Sequence, residues 1–230
     1  MSKNFYAQLH LHTAESSHCG RAEAKQIVRA CKQAGYDLIV ITDHFFNANI
    51  NCDFSLPWAG QVDCLMRGYR LAREEGERLG LTVLFGWETN TFGPEVLTYG
   101  LGEDFLLANP DVALWPLEEY ARRCRAAGAF LCHAHPYREA YYIPPFTPQP
   151  EFFDAIEVFN AAHHPGHAEW DAKALKLAED HNKIQLAGSD AHSTLWVFGG
   201  PMRLPWPVHT MEELIACLRT GEAVPLVSLD

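Results

Sequence analysis

The sequence predicts a single α/β domain spanning residues 1–230, folded as a distorted, TIM-like (β/α) barrel of seven strands. Three observations carry that prediction. At 230 residues with 48% apolar side chains, the chain can enclose one large core, and single α/β barrels commonly reach about 250 residues. Short apolar runs alternate with amphipathic segments, the pattern of a parallel sheet with helical crossovers. Chemistry-bearing residues recur directly after the apolar runs, and in a barrel those strand ends converge on one face. An open doubly wound sheet is the alternative architecture.

The strand candidates are Phe5 to His12, Leu38 to Thr42, Leu81 to Trp87, Ala129 to Cys132, Ala155 to Phe159, Ile184 to Ala187 and Ala223 to Val227. Between them, Ala22 to Ala34 places Ile27, Val28 and Cys31 on one helical face and meets Gly35, a C-terminal cap. Val62 to Leu79, Leu117 to Ala127, Ala168 to Asp180 and Met211 to Arg219 also read as helices, and Gly80, Gly128 and Gly221 follow three of them as stop signals. Two stretches break the rhythm, Phe45 to Trp58 and the proline-rich Tyr137 to Pro150, and both read as loops at the mouth of a site.

Composition excludes several function classes. A formal net charge of −11 argues against the broad basic surface that nucleic-acid phosphates require. Apolar runs stop far short of the roughly 20 residues of a membrane span, and Met1 to Tyr6 lacks the apolar stretch of a secretory signal. Seven cysteines, without any CxxC pair, read as reduced thiols in a cytoplasmic protein rather than as a disulfide framework or zinc ribbon. Nothing in the sequence specifies an oligomeric state.

The chemistry begins at His10-Leu11-His12-Thr13, at the end of the first strand candidate, where alternation puts both imidazoles on one face. Thr42-Asp43-His44 ends the second, Glu88 follows the third, Cys132-His133-Ala134-His135-Pro136 the fourth, and Gly188-Ser189-Asp190-Ala191-His192 the sixth. Any one member has a structural explanation, Glu88 as a helix cap or Asp43 as a turn acceptor. The set does not. Two carboxylates about 4 Å apart repel by about 4 kcal/mol at an effective dielectric of about 20, so converging Glu88 and Asp190 calls for a compensating cation. Imidazole with carboxylate favours Zn²⁺, with Mn²⁺ or Fe²⁺ also fitting. The candidate ligands outnumber those of one four-coordinate site, which implies two or three divalent ions able to share a carboxylate and activate a water.

In their order, HLHT, TDH, the glutamate after the third strand, AHP and GSDAH resemble the PHP (polymerase and histidinol phosphatase) superfamily, over residues 10–192. The resemblance implies a distorted seven-stranded barrel with a trinuclear metal centre that usually hydrolyses phosphate esters. It implies that His10 and His12 hold one ion with Glu88 and Asp190, that Glu88 bridges to a second ion held by His135, and that His18, His44 and His192 hold a third. Another ligand to the second ion falls in Asn160-Ala161-Ala162-His163-His164, with His163 favoured and His164 the alternative. Catalysis centres on His10, His12, Glu88, Asp190 and His192. Asp43 reads as an orienting group behind a ligating histidine. His133, two residues before His135, reads as facing substrate or as buried structure, and Arg138 is the candidate for binding substrate phosphate, with Arg203 weaker.

The functional expectation is therefore a phosphoesterase acting on a small phosphorylated molecule through a metal-activated water. An amidohydrolase-type reaction at the same metals is the alternative in chemistry, and a non-catalytic metal-binding module is the alternative in class.

Overall fold

The computed structural model describes residues 4–229. In chain order the main elements are β1 (Phe5–Gln8), α1 (Ala24–Ala34), β2 (Leu38–Ile41), α2 (Trp58–Leu79), β3 (Thr82–Asn90), β4 (Glu95–Tyr99), α3 (Glu103–Ala108), α4 (Leu117–Ala126), β5 (Phe130–Ala134), β6 (Ala155–Asn160), α5 (Ala168–Asp180), β7 (Ile184–Gly188), β8 (Met202–Leu204), α6 (Met211–Arg219) and β9 (Val224–Pro225). One mixed sheet joins the strands in the order β7-β6-β5-β4-β3-β2-β1-β8-β9. Its ends approach each other: β7 lies against β9, and beyond β1 the chain pairs with the chain beyond β7 through Leu11 and Ala191. The result is a nearly closed barrel.

The sheet has nine strands, not the expected seven, and the difference has a simple form. The seven anticipated strands are all present and run in one direction, while β4 and β8 are antiparallel additions. β4 returns from β3 through the turn Thr91-Phe92-Gly93-Pro94, closed by Thr91 N–H donating to Pro94 O. β8 has only three residues and lies between prolines at 201 and 205. A strand that short offers too few residues for a period-two pattern to register.

The helices form where the apolar periodicity placed them, and their ends follow local chemistry. α1 starts with a capping box between Glu23 and Gln26 and stops at Gly35, whose φ of 102° favours a residue without Cβ. Two layers of core result. Ala7, Leu38, Val40, Cys132, Ala134 and Leu186 fill the barrel interior together with Leu214 and Leu218 of α6. Ile39, Ile41 and Val83 turn outward onto α1 and α2. Among the described residues no helix is long and apolar enough to cross a membrane.

Candidate metal centre

The strand ends place the predicted ligands around one point, beginning with a change of phase in the first strand. Ala7 and Leu9 pack in the inner core, whereas Leu11 lies in the outer layer. At that break, Gln8 Oε1 accepts hydrogen bonds from the N–H groups of Leu9, His10 and Ser189, satisfying backbone that would otherwise be orphaned. The shift directs His10 and His12 inward, where both are fully buried.

His10 Nδ1 is 2.8 Å from Glu157 Oε1, which leaves Nε2 aimed between Glu88 Oε1 at 3.4 Å and Asp190 Oδ1 at 3.5 Å. His12 Nε2 lies 3.1 Å from Asp190 Oδ1 and 3.5 Å from Glu88 Oε2. Glu88 also meets His135 Nε2 at 2.8 Å and His44 Nδ1 at 3.0 Å. Despite this proximity, His10 Nε2, His12 Nε2 and His44 Nδ1 have no hydrogen-bond partner among the described residues. Buried nitrogens without partners are rare and costly. Here they point at a shared space rather than at one another's lone pairs, as ligands of a common cation do.

Charge balance gives the same result. Glu88, Glu95, Glu157 and Asp190 are all buried around this space, and the guanidinium among them is Arg138, with Nη2 2.6 Å from Asp190 Oδ2. Burial pushes the Glu88 and Asp190 carboxyls up. Around Glu88, His10, His135 and His44 outweigh burial and hold it well below its usual range; around Asp190, Arg138, His10 and His12 do the same. Burial, with His44 and His192 adding to it, keeps His12 neutral and available as a ligand. Donor atoms lying within 4.8 Å of one another define the groups His10, His12, Glu88; His10, His135, Asp190; Glu88, Glu95, His135; and His12, His44, His192. These residue types fit a divalent cation.

Two of the clustered residues are held in uncommon backbone. His135 has φ 28° and Asp190 φ 51°, and such strain collects at functional sites. At His135 it has a visible consequence. Strand alternation gave His133 and His135 a common face, but the backbone leaves extended geometry after Ala134, and the two rings diverge. His133 packs on Phe153, ring centroids 4.4 Å apart, and beside Phe146. Burial lowers its pKa to about 3. His133 is therefore core rather than substrate-facing.

His18 is the other departure. Its N–H donates to Asn49 O, its side chain is exposed, and it joins none of the donor groups. The adjacent Cys19 faces the cluster instead, with Sγ 3.1 Å from His44 Nε2. Burial alone would raise its thiol, yet hydrogen bonds with His192 and His44 bring it down to about 6.

The remaining predictions sort by geometry. His163 Nδ1 meets Asp171 Oδ1 at 2.6 Å, leaving Nε2 to accept from Arg138 Nε at 3.3 Å. His164 spends its Nε2 on the same carboxylate, 2.8 Å away, and stacks on Phe159. Of the two, His163 is the one turned toward the centre, although it belongs to no donor group. Asp43 acts on the loop before it acts on any imidazole: it accepts from Thr13 N–H, Thr13 Oγ1 and Ser17 Oγ, and Ser17 Oγ lies 3.4 Å from His12 Nδ1. Helix α2 crosses so closely that a Cβ on Gly68 would overlap Thr13 Oγ1 and Asp43 Oδ2. Arg203 pairs across β8 with Tyr6 and does not line the site.

Glu157, Glu95 and Cys19 were not anticipated. Glu157 had a signal, a lone carboxylate in an otherwise apolar strand. A pocket of about 570 Å³ opens over the cluster, bordered by Asn47, Asn90, Glu95, Arg138, Tyr141 and Tyr142.

No family model matches the sequence, and no curated protein matches it significantly. Solved structures do. A two-domain protein from Bacteroides vulgatus containing a predicted PHP-like metal-dependent phosphoesterase superposes with a TM-score of 0.73 at 17% identity, covering 98% of this chain. This chain spans 65% of that protein's length. PsfC from Pseudomonas syringae gives a TM-score of 0.68 at 16% identity, covering 98% of this chain and 92% of PsfC. An amidohydrolase from Chromobacterium violaceum, with bound sulfate and no metal, gives 0.59 at 14% identity, with 97% and 98% covered. The chain has the fold of PHP-like metal-dependent phosphoesterases.

Proposed function

We propose that this chain is a metal-dependent phosphoesterase acting on a small phosphate ester at two or three divalent ions. The observation that carries the proposal is the set of partnerless buried imidazole nitrogens aimed between Glu88 and Asp190. His10, His12, Glu88 and Asp190 would hold one ion, Glu88, His135 and Glu95 a second with His163 nearby, and His44 and His192 a third beside His12. Zn²⁺ suits this imidazole-rich set, and Mn²⁺ or Fe²⁺ fit as well. When bound, such ions polarise a phosphoryl oxygen and lower the pKa of a coordinated water.

The chain's own groups supply binding and orientation. Arg138, whose Nε and Nη2 donate to His163, Asn160 and Asp190, has its Nη1 left to donate to phosphate oxygens. Glu157 fixes the tautomer of His10 so that Nε2 faces the centre, and Asp171 does the same for His163. Tyr141 and Tyr142 stand over the opening, where they can shield the site from bulk water.

The test is release of inorganic phosphate from a panel of monoesters and small diesters with Mn²⁺ or Zn²⁺ added, abolished by chelation and restored by metal. The likeness to an amidohydrolase favours one second reading, hydrolysis of a carboxamide or lactone at the same centre. Turnover of those compounds with no phosphate release from any ester would replace the first reading with the second.

A further inference from the structure

We propose that Cys19 is a thiolate ligand to the cation held by His44 and His192 beside His12, in the position where the spacing of the motif places His18. The inference deepens the functional reading above and rests on it. Among the described residues the nitrogens of these three histidines lie within 4.8 Å of one another. His12 is fully buried and its Nε2 has no hydrogen-bond partner. Its ring centroid is 4.3 Å from those of both His44 and His192, so three imidazoles are gathered at one edge of the cluster. Cys19 Sγ stands at the edge of this group, 3.1 Å from His44 Nε2, and borders the open pocket together with His44 and His192.

The local chain explains why residue 19 rather than 18 turns inward. Residues 13–20 form a tight loop in which Ser17 N–H donates to Thr13 O and Gly20 N–H to Ser17 O. Ser17 bridges to Ile50 and His18 N–H donates to Asn49 O, which ties this stretch to the neighbouring loop and leaves the His18 side chain exposed. At Gly20 the backbone presses on Thr13 O so closely that a Cβ would sit 2.4 Å from it. With residues 18 and 20 fixed in this way, the side chain between them faces the histidines. A thiolate beside imidazoles is a softer donor set than the carboxylate-rich groups around Glu88, and it selects Zn²⁺ or another thiophilic ion over Mn²⁺ at this one position.

Cobalt substitution of the intact chain tests the assignment without relying on turnover. Wild type loaded with Co²⁺ should show a thiolate-to-cobalt charge-transfer band in the near ultraviolet. That band should vanish in Cys19→Ser, with a lower metal content, while His18→Ala keeps both. Because loss of the Cys19 thiol in Cys19→Ser can itself weaken folding, alkylation of wild type by iodoacetamide is the second measurement: Cys19 should label in the chelated protein and be protected after metal loading. Cobalt bound with no charge-transfer band, or Cys19 labelling equally with and without metal, overturns the assignment and leaves the phosphoesterase reading standing. Metal loss in His18→Ala with none in Cys19→Ser overturns it in favour of His18. Failure of the wild type to bind any cobalt defeats both the assignment and the metal-dependent reading.

Discussion

At the end of the barrel where β1 begins, α6 closes the interior with Leu214, Cys217 and Leu218, buried with Phe5, Leu204 and Val208. At the other end, where β1, β2, β3, β5 and β7 finish, the interior fills with imidazoles and carboxylates whose nitrogens lack partners. One sheet supports both, so the strands do not decide the difference. The closed end is optimised for burial, and each side chain there contributes by leaving water. The open end keeps like charges and unpaired donors together, a local cost that Arg138 and the histidines offset in part and a bound cation would complete.

Removing charge from the open end should therefore act chiefly through the metal. Glu88→Gln takes away the carboxylate common to several donor groups and should weaken metal binding by more than about 100-fold, or about 2.7 kcal/mol, beyond the loss seen for outer-sphere partners. In the metal-free protein the same change takes from His10, His135 and His44 the carboxylate they hold ionised, and should lower Tm by less than it does in the loaded protein. Calorimetry of both states checks it; an equal fall in Tm with and without metal would sink the account of a carboxylate kept for a cation.

Truncation at the closed end should do the reverse. Leu214→Ala should cost about 2–5 kcal/mol of stability through lost burial and an unfilled cavity, while metal content per folded chain stays at the wild-type value. Urea unfolding with metal analysis reads both quantities. A changed metal content would mean that the two ends are coupled through the barrel.

Between these extremes lies Glu157, which touches His10 and accepts from His135 N–H without entering any donor group. Glu157→Gln should lower metal affinity by about 10–100-fold, because His10 loses the partner that fixes its tautomer. An affinity equal to wild type would make Glu157 a bystander.

The same contrast explains how much was legible in the sequence. Parallel strands and their helices follow from periodicity, and motifs at strand ends mark the site because barrel geometry gathers those ends. His10, His12, His44, Glu88, His135, Asp190 and His192 were all brought to the cluster in this way. Spacing failed where backbone direction departs from its regular form. Alternation could not anticipate the positive φ at His135 that separates it from His133. Counting six residues from His12 could not reveal that a loop packed against Thr13 would turn Cys19 inward. Glu95 was hidden because the antiparallel β4 was not read at all, although an Asn-Thr-Phe-Gly-Pro turn followed by Glu-Val-Leu-Thr-Tyr is a hairpin signal.

In the outer helical layer, Glu75 on α2 shows what a buried carboxylate looks like when its partners are built into the chain. Its Oε1 accepts from Arg78 Nη2 at 2.7 Å and Arg29 Nε at 2.6 Å, and its Oε2 from Arg78 Nε at 3.0 Å, tying α2 to α1. Arg78 first and Arg29 second hold this carboxyl at about 2, below the roughly 4.3 of an unfolded glutamate. A depressed folded pKa contributes stability that is complete above the unfolded value and is lost as pH falls through the folded one. Glu75→Gln should thus lower Tm at neutral pH by less than any change above, since both arginines remain largely solvated. The gap to wild type should narrow from about pH 4.3 downward and close near pH 2. Unlike the gap produced by Glu88→Gln, it should be the same with chelator as with metal. A gap that persists unchanged into acid would assign the effect of Glu75 to packing instead of charge.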